Sequence, residues 1–250
     1  MGMIVLNHPE APAQLDGNRK RRSRSMARIR FEQIYNEIRT RICLLIYPPG
    51  TVLRESELAA EFNMSRTPVR KVLSCLEFDG LVEVKHGIGT IVSSDVLDDL
   101  HDIYEFRMKL AEQIGILNPI RPTEENIEAT RAILTQLRAI GINLTPHEYW
   151  KFNTALQIQL ENCTGNRWLR EASDRLYFLT NRNWQARVPK QDWRMEIEHF
   201  ARELEEIIRC MENGDVVGIG MVRRNAIYAS YLRLLEYRKL IGVAQSSTEQ

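Results

Sequence analysis

The sequence predicts a mainly α protein, with an N-terminal winged helix-turn-helix domain and a C-terminal all-α helical bundle. Three observations predict this. Apolar residues keep helical spacing from 31 to 78, interrupted at "YPPG" and at "NM". A β-favouring segment with two glycines at its centre, "LVEVKHGIGTIVS", follows at once. From residue 96 onward the apolar pattern is helical throughout, punctuated by turn residues.

Taken in order, residues 1–27 lack periodicity and read as a disordered arm. From Arg19 to Arg30 that region holds seven basic residues and no acidic one, a composition suited to salt-sensitive phosphate contacts. Phe31, Ile34, Tyr35, Ile38, Ile42, Leu45 and Ile46 then mark a helix, which Pro48, Pro49 and Gly50 terminate. "ESELAAEF" is a second, short helix with Leu58, Ala59 and Phe62 on one side. Ser65 opens a third that reaches about Phe78, its hydroxyl placed to cap the first turn. Val82 and Val84 alternate with Glu83 and Lys85, "TIV" makes a return strand, and "HGIG" is the hairpin tip. The winged domain is drawn at 28–93, with a linker at 94–97.

The remaining spans are 96–117, 123–141, 146–162, 166–187, 191–213 and 215–240. They form a domain drawn at 98–240, with a tail at 241–250. "TPHE" at 145–148 has the form of a capping box with proline at the first helical position. "TGN" and "NGD" supply later turns.

The 34 Lys and Arg against 33 Asp and Glu give a formal charge of +1, so bulk electrostatics do not select a partner. The distribution is more informative. Residues 1–95 hold 14 basic and 11 acidic side chains, and residues 96–250 hold 20 and 22. That asymmetry has the sign of a nucleic-acid-binding front half. Cys43, Cys75, Cys163 and Cys210 lack CxxC spacing and are expected as buried, reduced thiols. The opening "MGMIVLNHPEAP" is too short for a signal peptide's apolar segment, and no later run has membrane-spanning length. The expectation is a soluble, cytoplasmic protein.

"MSRTPVRKVL", residues 64–73, carries the chemistry of the front half. Arg66 stands at a helix N-terminus, where the helix dipole disfavours a cation. Arg70 shares its face, with Thr67 beside them, while Val69, Val72, Leu73 and Leu76 point to the core. Hydroxyls and backbone N–H groups there suit phosphates, and an arginine can fork onto guanine.

The run "PPGTVLRESELAAEFNMSRTPVRKVLSCLEFDGLVEVKHGIGTIVS" resembles the DNA-binding domain of the GntR family of bacterial transcription regulators, over roughly residues 31–93. The resemblance implies that Arg66 and Arg70 read bases or adjacent phosphates. Ser65 and Thr67 would hold phosphates, Ser56 would face the DNA backbone, and His86 and Gly87 would bring the wing to the minor groove. Arg54 stands where the family often has a small polar cap, which suggests a phosphate contact.

The helical half resembles the ligand-sensing (FCD) domain of the FadR-like subfamily, in its shorter six-helix form. The anchors are "YEFRMKLAE", "GN" at 165–166 and "ENGD" at 212–215. The resemblance places Arg107 near an effector, although Ala111 replaces the glutamate of the family's R-x-x-L-E. Many members hold a metal; here its ligand positions fall on Tyr149, Asn153, Leu204 and Asn225 or Ala226. None of these is a convincing ligand, and His199 lies five residues early, so no metal or other cofactor is expected. A small organic acid would be bound through Arg107, Tyr149, Asn153 and Asn225. "HEYWK" lacks the second histidine of a zinc pair, and "HGIGT" lacks a phosphate loop's ending. His199 and Glu203 read as a plain surface pair, and the four tryptophans as core or interface residues.

The whole is expected to be a homodimeric regulator, most simply a repressor, on an inverted-repeat site in double-stranded DNA, with a small-molecule effector and no membrane contact. A DNA-binding dimer without an effector, a metal-dependent sensor and an enzyme tethered to DNA are the alternatives.

Overall fold

The computed structural model describes residues 14–94, 99–189 and 192–248, with side chains from 26 to 237 apart from 142, 183 and 185–187. The front half runs α1 (Gln14–Cys43), β1 (Val52–Leu53), α2 (Glu55–Glu61), α3 (Arg66–Phe78), β2 (Val82–Lys85) and β3 (Gly89–Val92). The second half is α4 (Leu100–Glu112), α5 (Glu124–Ile140), α6 (Pro146–Glu161), α7 (Arg167–Arg187), α8 (Trp193–Asn213) and α9 (Val216–Thr248).

Ile34, Ile38 and Ile42 of α1 are buried at successive turns, against Val69, Val72, Leu73 and Leu76 of α3. β2 and β3 pair antiparallel with Val82 opposite Val92 and Lys85 opposite Gly89. Their turn closes through the Ile88 N–H on the Lys85 carbonyl at 3.1 Å. Gly87 takes φ +78° there, a conformation that favours glycine. The sheet has a third strand that alternation in the sequence does not reveal: the two residues of β1 pair with β3, in the order β1-β3-β2.

Several expectations need correction. Residues 14–27 of the expected arm are helical, because α1 begins at Gln14; residues 1–13 lie outside the described residues. The first helix stops at Cys43, before the prolines, and Leu45 adopts φ +57°. α9 continues to Thr248, through most of the expected tail. Most of the expected linker lies outside the described residues. Cys75 is exposed and Cys210 partly so, while Cys43 and Cys163 are buried; all four are free. Trp168 is exposed too. Among the described residues no helix is long and apolar enough to cross a membrane.

The bundle core joins Ile127, Ile133 and Leu137 of α5 to Leu156 and Leu160 of α6 and to Phe200, Leu204, Ile207 and Met211 of α8. Thr145 and Glu148 form the expected capping box at α6. α4 and α9 pack backbone to backbone, since a Cβ at Gly220 would lie 2.6 Å from the Ala111 carbonyl oxygen.

α7 belongs to both halves. Leu179 is buried in the winged-domain core, with Leu176 packed beside it. Arg175 donates to the Phe78 carbonyl at 2.5 Å. Arg39 of α1 pairs with Asp174 at 2.6 Å and lies 3.5 Å over the Phe178 ring. Arg182, fully buried, donates to the carbonyls of Ser93 (2.9 Å) and Ser94 (2.8 Å).

Candidate DNA interface and effector cavity

The winged domain presents one polar end. Ser65 is the N-cap of α3, at φ −76° and ψ 162°, but its hydroxyl makes no capping bond, contrary to expectation. Ser65, Arg66 and Thr67 are exposed, and α3 has no acidic residue in its first turn. The N–H groups of that turn and a free hydroxyl therefore face outward beside a cation, which leaves the dipole uncompensated by the chain itself.

Arg66 makes no hydrogen bond or ion pair among the described residues. Arg70 does: its Nε and Nη2 donate to the two carboxylate oxygens of Glu55 at 2.7 and 2.8 Å. Arg54 donates to Glu57 at 2.9 Å, and Lys85 lies 3.3 Å from Glu83. Ser56 is exposed at the start of α2, and His86 and Gly87 are exposed at the wing tip. The Arg70 guanidinium hydrogen-bonded to Glu55 holds that carboxyl below the usual carboxylate range.

The second site is a cavity of about 210 Å³ in the helical half. Arg107, Tyr149, Asn153 and Asn225 come from α4, α6 and α9, and all four line it. Arg107 donates to the Thr180 hydroxyl of α7 at 2.8 Å and lies 5.3 Å over the Tyr104 ring. Burial pushes its pKa down to about 10, which leaves it charged at neutral pH. Among the described residues no carboxylate forms an ion pair with it. Tyr149 is wedged edge-on between Trp193 (5.2 Å) and Phe200 (5.5 Å). Burial raises its pKa, so the phenol stays neutral.

Two other arginines of the cavity, Arg223 and Arg233, are paired, while Arg202 and Glu206 on its lining form no ion pair among the described residues; this pattern was not legible as a site. Arg223, buried, donates to Glu203 at 2.7 Å. Arg233 clamps the fully buried Glu196 at 2.7 and 3.0 Å, and Tyr237 donates to the same carboxylate at 3.0 Å. Glu203 and His199 both line the cavity, which corrects their assignment to a plain surface pair. The helix phase of α8 explains it: Leu204 is fully buried in the bundle core, so Glu203 takes the cavity side.

The residues at the expected ligand positions do not fit a metal. Tyr149, Asn153 and Asn225 offer neutral oxygen or nitrogen, and the fourth position is the apolar Leu204. A His–Asp–Glu group, His101, Asp102 and Glu105, lies exposed on α4 and does not line the cavity.

With both sites in place, the class is a winged-helix head on an all-α bundle. Residues 30–92 match the family described as "Bacterial regulatory proteins, gntR family", and residues 102–225 match the FCD domain. The chain belongs to the GntR family and carries an FCD domain. It is 33% identical over 86 residues to the uncharacterized HTH-type transcriptional regulator YdhC of Bacillus subtilis, an alignment spanning 34% of this chain and 38% of that protein. The chain thus covers well under half of that relative's length. It is 26% identical to the Nta operon transcriptional regulator of Aminobacter aminovorans over 64% of this chain and 78% of that one. Among solved structures it resembles E. coli McbR/YncC, with a TM-score of 0.70 at 17% identity, covering 83% of this chain and 97% of that one. That likeness concerns the fold.

Behind the cavity, Gln157 contacts Arg223 at 3.4 Å and donates to Glu161 at 3.0 Å. Burial pushes the Glu161 carboxyl from 4.5 up to about 7. The folded chain then holds a proton that the unfolded chain releases near 4.5, so stability falls as pH rises through that window. Glu161→Gln removes this slope, on the order of 1–3 kcal/mol. Urea midpoints at pH 5 and pH 8 check it: they draw together in the variant.

Proposed function

We propose that the protein is a cytoplasmic, homodimeric transcription repressor that binds an inverted-repeat site in double-stranded DNA and responds to a small organic anion. One observation carries the effector half of this reading. Arg107 is a partly buried cation with no carboxylate partner among the described residues, and its hydrogen bond goes to Thr180 of α7. A carboxylate in the cavity would supply the missing countercharge. Asn153 and Asn225 on the cavity wall would bond its polar substituents.

α7 is the route by which occupancy would be felt. Tyr177, Thr180, Asn181 and Trp184 line the cavity. Leu179 and Arg182 of the same helix face the winged domain. A ligand that takes Arg107 from Thr180 acts on the helix against which the DNA-binding head is docked. In a dimer, a change in that docking alters the spacing of two heads.

The DNA half rests on the end of α3. Among the described residues Arg66 has no partner to give up, so it is the residue proposed to read a base. Ser65, Thr67 and Ser56 are proposed as phosphate contacts, and His86 and Gly87 as the minor-groove contact.

Two experiments test the reading. Arg66→Ala loses about 1–3 kcal/mol at one base position of a duplex selected by the wild-type chain, while a random duplex is affected little; equal losses on both refute base reading. In a thermal-shift panel of malate, citrate, gluconate and benzoate, an acid that binds the cavity stabilises the full chain. At a hundredfold excess over Kd the gain is about 2.7 kcal/mol, and Arg107→Met abolishes it. Stabilisation that survives Arg107→Met refutes this anion site.

A further inference from the structure

Three cations of the winged domain are paired with the chain's own carboxylates. Arg70, Arg54 and Lys85 each have an acidic partner: Glu55 at 2.7 Å, Glu57 at 2.9 Å and Glu83 at 3.3 Å. Isolated exposed ion pairs of this kind contribute little to folding stability, so stability alone does not account for three of them on one surface. The Arg70–Glu55 pair differs from the other two in geometry. It is bidentate, it joins the start of α2 to α3, and its carboxylate is the less exposed member, at 30% against 70% for Arg70.

A bidentate carboxylate occupies the same edge of a guanidinium that a phosphate would use. While Glu55 holds Nε and Nη2, a passing phosphate gains Arg70 only by displacing an equivalent anion, which is nearly an even exchange. Glu55 also sits within electrostatic reach of Arg66, so it lowers the attraction of the whole α3 end for any polyanion. Sequence-blind affinity depends mainly on cations free to release counterions from phosphates. Lowering it widens the gap between specific and random DNA without adding a single favourable contact to the specific one.

Resting on the proposed DNA-binding function, we propose that Glu55 is a specificity-determining residue that acts through Arg70: it withholds that arginine from phosphates and leaves Arg66 to dominate recognition. Glu55 is thus a positioning residue, and its removal should strengthen binding to the wrong DNA.

The experiment measures affinity across a salt series for the full chain, on a random duplex and on a duplex enriched by the wild-type chain. In Glu55→Gln the slope of log K against log salt on the random duplex steepens by about 0.9, as one added phosphate contact requires, and selectivity for the enriched duplex falls. In Glu55→Gln combined with Arg70→Met the slope returns to that of Arg70→Met alone. An unchanged slope in Glu55→Gln overturns the proposal, and so does steepening that persists without Arg70. A circular-dichroism melt of each variant, expected to match the wild-type chain, separates these outcomes from a folding defect. Failure of the wild-type chain to bind either duplex would overturn the DNA-binding reading itself, and this inference with it.

Discussion

The guanidinium of Arg182 holds the two halves of the protein in one relation. It is fully buried on α7 and donates to the carbonyls of Ser93 and Ser94 and to the Ser93 hydroxyl, where the chain leaves the wing. Ser93 in turn donates to the Gly80 carbonyl at the end of the α3 turn. A buried cation is tolerable only when it finds hydrogen-bond acceptors, and here Nη1 and Nη2 find them on Ser93 and Ser94 at the end of the winged domain. Leu179, one turn earlier, completes the winged-domain core. Thr180, its neighbour in sequence, faces the cavity. Two adjacent positions of one helix therefore serve the winged domain and the cavity.

The same separation of roles governs the charges. Inside the bundle, Arg223–Glu203 and Arg233–Glu196 are closed pairs whose members would be costly to bury alone. They build walls around the cavity, and Arg107 and Arg202 on its lining have no acidic partner among the described residues. At the N-terminus of α3, Arg66 is likewise without a hydrogen bond or ion pair among the described residues. Each site thus combines paired charges with cations left without an acidic partner among the described residues, an arrangement that suits an anion.

Much of the fold was legible because apolar periodicity reports burial directly. Ile34, Ile38 and Ile42 on α1, and Val69, Val72, Leu73 and Leu76 on α3, are buried as their spacing requires. The cavity positions Arg107, Tyr149, Asn153 and Asn225 were reached by resemblance, and one cavity contains them all. The paired residues Glu196, Glu203, Arg223 and Arg233 were not reached. A charged residue on an amphipathic helix reads as solvated surface unless its partner, 20 or 37 residues away in sequence, is known to face it. β1 escaped because two residues carry no alternation. The helical start of α1 escaped because its basic stretch has no apolar stripe to mark it. The Ser65 cap failed for a different reason: its backbone is set for capping, but its hydroxyl bond is not made.

If α7 joins the halves as these contacts require, the chain unfolds as one cooperative unit. Differential scanning calorimetry of the full chain and of Arg182→Met tests this most directly. The account predicts a single transition for the wild-type chain, with van't Hoff and calorimetric enthalpies in agreement. In the variant it predicts an early transition, from release of the winged domain, ahead of the bundle. Two independent transitions already present in the wild-type chain would contradict it.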